Sequence, residues 1–289
     1  MNPNVNTATA TPPSFNVDPT LPGVSFFGTV RSELAKLKAL RTSWWLSAIT
    51  VGVGTFIAGA VAFSFQYFMD GSPEFDTGAL NLATQGQAGG YFAMILLGSL
   101  GVIVITTEYS SGAIRSSLTA VPQRPLLLTA KALALLIWAG AVAALTILIS
   151  HLLTSIIAAP LGLFDLFDPE IGGMYISNWV AIMLTALLGF GLGTLLRSSA
   201  GGIVVLAVIM FVFQIVLSIL YGVTQGAAWV EVLMRVEFMN LVDNLTNPYA
   251  GGEFSMVPAW EPWQAAIGLL IWTAVPLVGG AISFSRRDS

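Results

Sequence analysis

The acidic clusters are the first places in this sequence where chemistry could reside. Asp165-x-x-Asp168-Pro169-Glu170, and Glu231 with Glu237, offer oxygen ligands of the kind a divalent cation takes. Neither cluster has a histidine beside it, acids in such loops are usually solvated, and no metal site is expected from them. The single histidine, His151, could titrate near neutral pH and relay a proton, or could hydrogen-bond a neighbouring helix. Cysteine is absent, which excludes thiolate nucleophiles, disulfides and Cys-based metal sites. A phosphate loop of the G-x-x-x-x-G-K-[ST] type needs a lysine after a glycine. The lysines are Lys36, Lys38 and Lys131, and none follows glycine. No catalytic residue is therefore assigned, and the chain has no nucleotide cradle of that kind.

The elements that position these residues are read from composition. The chain is 55% hydrophobic and only 9% charged, whereas a soluble domain carries about 25% charged residues. Lipid must be the solvent for much of it. A helix needs about 20 apolar residues to cross the hydrocarbon core. Windows at 45–68, 89–107, 132–158, 176–196, 202–221 and 263–284 qualify, and none contains Asp, Glu, Lys or Arg. Each such charge at the bilayer centre would cost about 2.5–3.5 kcal/mol. The fold class expected is an all-α membrane protein of six transmembrane helices, organised as one domain over 44–287. Residues 1–25, rich in Asn, Thr and Pro, read as a disordered tail.

Basic residues orient the bundle. Of the 11 Lys and Arg, all but Arg235 fall on one side, which is then the cytoplasmic side, with both termini. Most of the 15 acids fall on the other. No nucleic-acid partner is expected of a chain with net charge −4.

Two segments outside the windows have helical amphipathic periodicity. Over 26–43, Phe27, Val30, Leu34, Leu37 and Leu40 recur at spacings of three and four, with Trp44 following. Arg31, Lys36 and Lys38 take the other side, while Glu33 and Arg41 sit awkwardly near the apolar stripe. Such a helix would lie along cytoplasmic headgroups, its lysines reaching anionic lipid. In the extracellular loop 223–262, a second stripe over 229–245 predicts one helix that caps the bundle or rests on the outer leaflet.

The loop 108–126 between the second and third windows begins with Glu108 and then reads as a short helix. Ile114, Leu118 and Val121 stand at helical spacing, and Pro122 stops the helix because it lacks an amide donor. A short, partly apolar helix projecting into the cytoplasm suits docking in a groove on another protein. A plain interhelical loop whose charges only fix topology is the alternative.

At these residues the chain resembles bacterial ABC-2 permeases, the membrane subunits of ATP-binding-cassette exporters. The resemblance rests on Glu108-Tyr109-Ser110-Ser111-Gly112-Ala113-Ile114-Arg115, on Pro122-Gln123-Arg124, on Thr129-Ala130-Lys131, and on 32–38 followed by Trp44-Trp45. It implies an ABC-2 (type V exporter-like) permease fold, with the helix 26–43 packed beside a coupling helix at 112–121. It implies that Glu108, Tyr109, Gly112, Ala113, Arg115, Leu118, Val121, Pro122 and Arg124 contact an ATPase subunit, and that Glu33, Lys36, Lys38 and Arg41 belong to the interfacial helix. ATP and Mg would be bound by that separate subunit and none by this chain. A second permease copy or homologue and the lipid bilayer complete the implied partners, in a bacterial cell membrane. The implied function is export driven by ATP; apolar spans with few polar groups lean toward an amphipathic or hydrophobic cargo (drug, peptide or lipid-like). Two other classes stay open: an ion-coupled secondary transporter, against which the absence of midplane charges weighs, and an intramembrane enzyme.

Overall fold

Apolar stretches of this length have to satisfy every backbone group internally, which leaves the helix as the available solution. The computed structural model describes residues 25–69, 79–157, 167–252 and 255–286, and among these all regular structure is helical. The expected tail, except Ser25, lies outside the described residues, as do Asp165, Arg287 and the side chain of Gln66.

Among the described residues twelve α-helices follow one another: α1 (Phe26–Ala39), α2 (Arg41–Met69), α3 (Ala79–Gly86), α4 (Gly89–Ser111), α5 (Ala113–Ala120), α6 (Arg124–Ile157), α7 (Pro169–Leu196), α8 (Ser199–Ala207), α9 (Phe213–Val223), α10 (Ala228–Val236), α11 (Phe238–Thr246) and α12 (Pro262–Arg286). Val208–Val212, between α8 and α9, forms a π turn. Six stretches are long and apolar enough to cross a membrane: Arg41–Phe65, Leu80–Ser111, Arg124–Ile157, Pro169–Leu196, Ser199–Val223 and Pro262–Arg286.

The core lies between α4 and α7. In each, 67% of the most apolar window is buried, against 17% for the α8–α9 stretch at the edge. Glycine makes this crossing possible. A Cβ on Gly189 would stand 2.0 Å from the Gly98 carbonyl oxygen, and one on Gly101 would stand 2.2 Å from that of Ala186. Close backbone approach of this kind needs a residue without a side chain. The Gly189-x-x-x-Gly193 pattern is thus used inside the subunit, against α4. On its other side α7 meets α12, where Gly191 lies against Pro276 and Leu277.

Several boundaries differ from the sequence reading for identifiable reasons. The interfacial helix ends at Ala39, and Arg41 belongs to the first turn of α2. Leu40 adopts extended dihedrals at the corner between the two helices, and the freed Lys38 carbonyl accepts from the Trp44 indole at 2.9 Å. The stretch expected as loop 108–126 is helical at both ends, because α4 runs to Ser111 and α6 starts at Arg124. Hydropathy windows stop at the first charge, whereas the helices continue past it. The single helix expected over 229–245 is two, α10 and α11, broken at Glu237, whose carboxylate accepts from the amides of Met239 and Asn240 at 2.9 and 2.8 Å. A side chain that caps a new helix N-terminus ends the one before it. Asp168 likewise caps α7, accepting from Glu170 and Ile171. Both are therefore helix caps. His151, buried on α6, hydrogen-bonds the Tyr175 hydroxyl of α7 at 2.9 Å.

Candidate coupling site

Spacing within α1 places Glu33 and Lys36 one turn apart, so their side chains share a face. That face packs along α6, where Lys131 is almost fully buried, with 1% of its side chain exposed. A buried ammonium is tolerable only with charge partners. Lys131 Nζ donates to Glu33 Oε2 at 2.6 Å and to Glu108 Oε1 at 2.5 Å. Lys36 Nζ donates to Glu33 Oε1 at 2.7 Å and to Glu108 Oε1 at 3.1 Å. Two carboxylates and two ammoniums thus alternate in a closed, neutral cluster drawn from α1, α4 and α6. Burial opposes the charge on Lys36, but the Glu33 hydrogen bond and the carboxylates of Glu108 and Glu33 outweigh it and raise its pKa.

The cluster reaches α5 through one residue. Lys36 donates to Ser117 Oγ at 3.0 Å, and the same hydroxyl donates to Glu108 Oε2 at 3.3 Å. The short helix exists because Gly112 takes the left-handed conformation, φ +72°, that ends α4 and re-aims the chain. Nine residues later Val121, φ −131° and ψ 87°, leaves the helical region before Pro122. Ile114 and Ser117 are buried, with Leu118 and Val121 packed against the core. The opposite face of α5, with Ala113, Arg115, Ser116, Thr119 and Ala120, is exposed, as are Gly112 and Pro122 at its ends. Clefts of about 450 and 530 Å³ flank it, one beside Ser25, Gly28 and Thr29, the other beside Leu37, Leu40 and Val104.

A family model described as "ABC-2 family transporter protein" matches residues 35–289. The chain belongs to the ABC-2 transporter family. No curated relative matches it. As a member, this multi-pass protein is a transport component of the membrane, a permease subunit of the kind that associates with an ABC ATPase.

In this ABC-2 permease the residues expected at the coupling helix divide into two groups. Gly112, Ala113, Arg115 and Pro122 face solvent; Leu118 and Val121 hold α5 to the bundle. Arg124 and Tyr109 lie elsewhere. Arg124 donates to the carbonyls of Phe284 and Ser285, both at 3.1 Å, and Arg197 reaches that of Ser283 at 3.4 Å. These cations meet the negative end of the α12 dipole. Arg197 also lies over the Tyr109 ring at 4.9 Å. Lys38 and Arg41 are exposed, apart from the cluster. Sequence reasoning missed Lys131 and Ser117 as site residues. The usable signal was Glu33, an acid in an apolar stripe, which demands a buried cation opposite it.

Proposed function

We propose that this permease is the membrane-spanning half of an exporter that moves an amphipathic or hydrophobic cargo out of the cytoplasm, powered by ATP hydrolysis on a separate subunit seated on the exposed face of α5. One observation carries the reading: the buried cluster Glu33–Lys36–Glu108–Lys131 holds Ser117 of the short helix to three other elements at once. A push on α5 is then delivered to the end of α4, which packs against α7 in the centre of the bundle. An ion-paired joint transmits such a push because opening it would strand a buried charge. The α5 end faces the cytoplasm in this reading, as the basic residues require. A second copy or homologue of the chain seats against α8–α9, with cargo passing at that seam. Support comes from Gln214, an exposed amide on a largely apolar helix, which lipid cannot satisfy.

The docking face is tested with Arg115→Glu and Ala120→Glu, neither of which touches the core. With the ATPase subunit reconstituted, cargo-stimulated hydrolysis should fall about tenfold in either variant, as expected for losing about 1.4 kcal/mol of interface, while membrane insertion is unchanged. Full stimulation in both would remove α5 as the docking element.

A further inference from the structure

At the end of the bundle opposite α5, the corner between α10 and α11 reaches down the side of α12. The Trp260 indole donates to the Arg235 carbonyl at 2.7 Å, and the Trp272 indole to the Val236 carbonyl at 2.8 Å. Trp272 lies ten residues inside the α12 start at Pro262, about 15 Å of helical rise. The α10–α11 corner therefore enters the leaflet rather than resting above it. Between the corner and α12 a cleft of about 430 Å³ remains, lined by Trp260, Trp263, Ile267, Gly268, Ile271 and Trp272. Trp263 is exposed at the start of α12, and Ile267 and Ile271 are exposed deeper along it, where the solvent is acyl chain.

Charge completes the site. Arg235 is the one basic residue on this side of the sequence. Its guanidinium lies 4.3 Å from the centre of the Trp260 ring, at the mouth end of α12. Among the described residues no carboxylate pairs with it, and its Nε is buried without a hydrogen-bond partner. An arginine whose backbone sits in the leaflet extends toward the headgroups, where phosphate is the anion at hand.

We propose that this cleft holds an anionic phospholipid of that leaflet, one acyl chain along the tryptophan face of α12 and its phosphate on Arg235. The site is independent of whether α5 docks an ATPase. Phospholipids dibrominated on the acyl chain quench nearby indoles, so the purified permease is reconstituted in phosphatidylcholine vesicles containing equal mole fractions of dibrominated phosphatidylglycerol or dibrominated phosphatidylcholine. Bromophosphatidylglycerol should bind about fivefold more tightly by quenching, the preference one basic residue near a membrane surface supplies. Arg235→Gln should reduce that preference to near unity, Arg235→Lys should keep most of it, and Trp263→Phe should lower the excess quenching while Trp260 and Trp272 keep the rest. Equal quenching of the wild type by the two lipids overturns the proposal. So does an excess that survives Arg235→Gln. Shielding of Trp263 from both lipids, as bound cargo or a second copy of the chain would give, also overturns it.

Discussion

The two ends of the bundle are held together by different physics. At the α5 end, four charged side chains from three helices form a neutral, mostly buried cluster, and Ser117 attaches the short helix to it. At the opposite end, Glu237 caps α11 and Asp168 caps α7, while Asp243 of α11 accepts from Tyr91 of α4. There the joints between elements include indole donors on carbonyls, and among the described residues no carboxylate pairs with Arg235. Ion pairs shared among several helices make them move as one, since separating any member exposes the rest. Caps and indole bonds fix local shape and leave neighbours freer. One end is suited to transmitting force and the other to adapting around what passes or binds.

Single substitutions should break this contrast unequally. Lys131→Met leaves the carboxylates of Glu33 and Glu108 to share the half-exposed Lys36, beside the Ser117 hydroxyl on Glu108, and stranding a buried carboxylate costs about 3–5 kcal/mol. Glu237→Ala removes one cap, worth about 1 kcal/mol. Thermal unfolding of the purified permease should therefore shift several times further for Lys131→Met, and ATPase stimulation should be lost only there. Equal shifts would mean that the cluster is no more than another local contact.

A smaller effect separates the ends by pH. Lys36 has its pKa raised, by carboxylates that outweigh its burial. Its stabilisation is fully present below the ordinary lysine value of 10.5 and is lost as pH rises through the folded value. Glu237 and Asp243 are raised too, by burial that their hydrogen bonds offset only in part. The folded protein then holds protons that the unfolded chain has released, so their contribution is greatest in acid and declines as pH rises through the raised values. Hydrogen exchange, corrected for intrinsic rates, should show α10–α11 better protected at mildly acidic than at neutral pH. Protection of α1 should fall in alkali, as Lys36 loses its charge. A parallel response at both ends would erase the distinction.

Much of the architecture was legible because hydropathy is a local property: the six apolar windows each overlap a membrane-length helix. The joints were not local. Lys131 and Glu33 stand 98 positions apart, and in sequence Lys131 served only as a topology marker at a span boundary. The breaks at Leu40 and Glu237 carry no proline or glycine; they depend on side-chain bonds, Trp44 to Lys38 and Glu237 to its own following amides. Gly112 and Pro122 are backbone signals, and they delimit α5 within a residue of the expected helix. Which face of that helix is outward depended on the bundle beneath it, so Leu118 and Val121 were grouped with Arg115 although they point the other way.

The most direct test uses sealed proteoliposomes. Containing this permease alone, they should move no cargo, whether energised by a proton gradient or a sodium gradient, and should begin to move it only when the ATPase subunit and ATP are added on the α5 side. Cargo movement by the permease alone, driven by either gradient, would contradict the account.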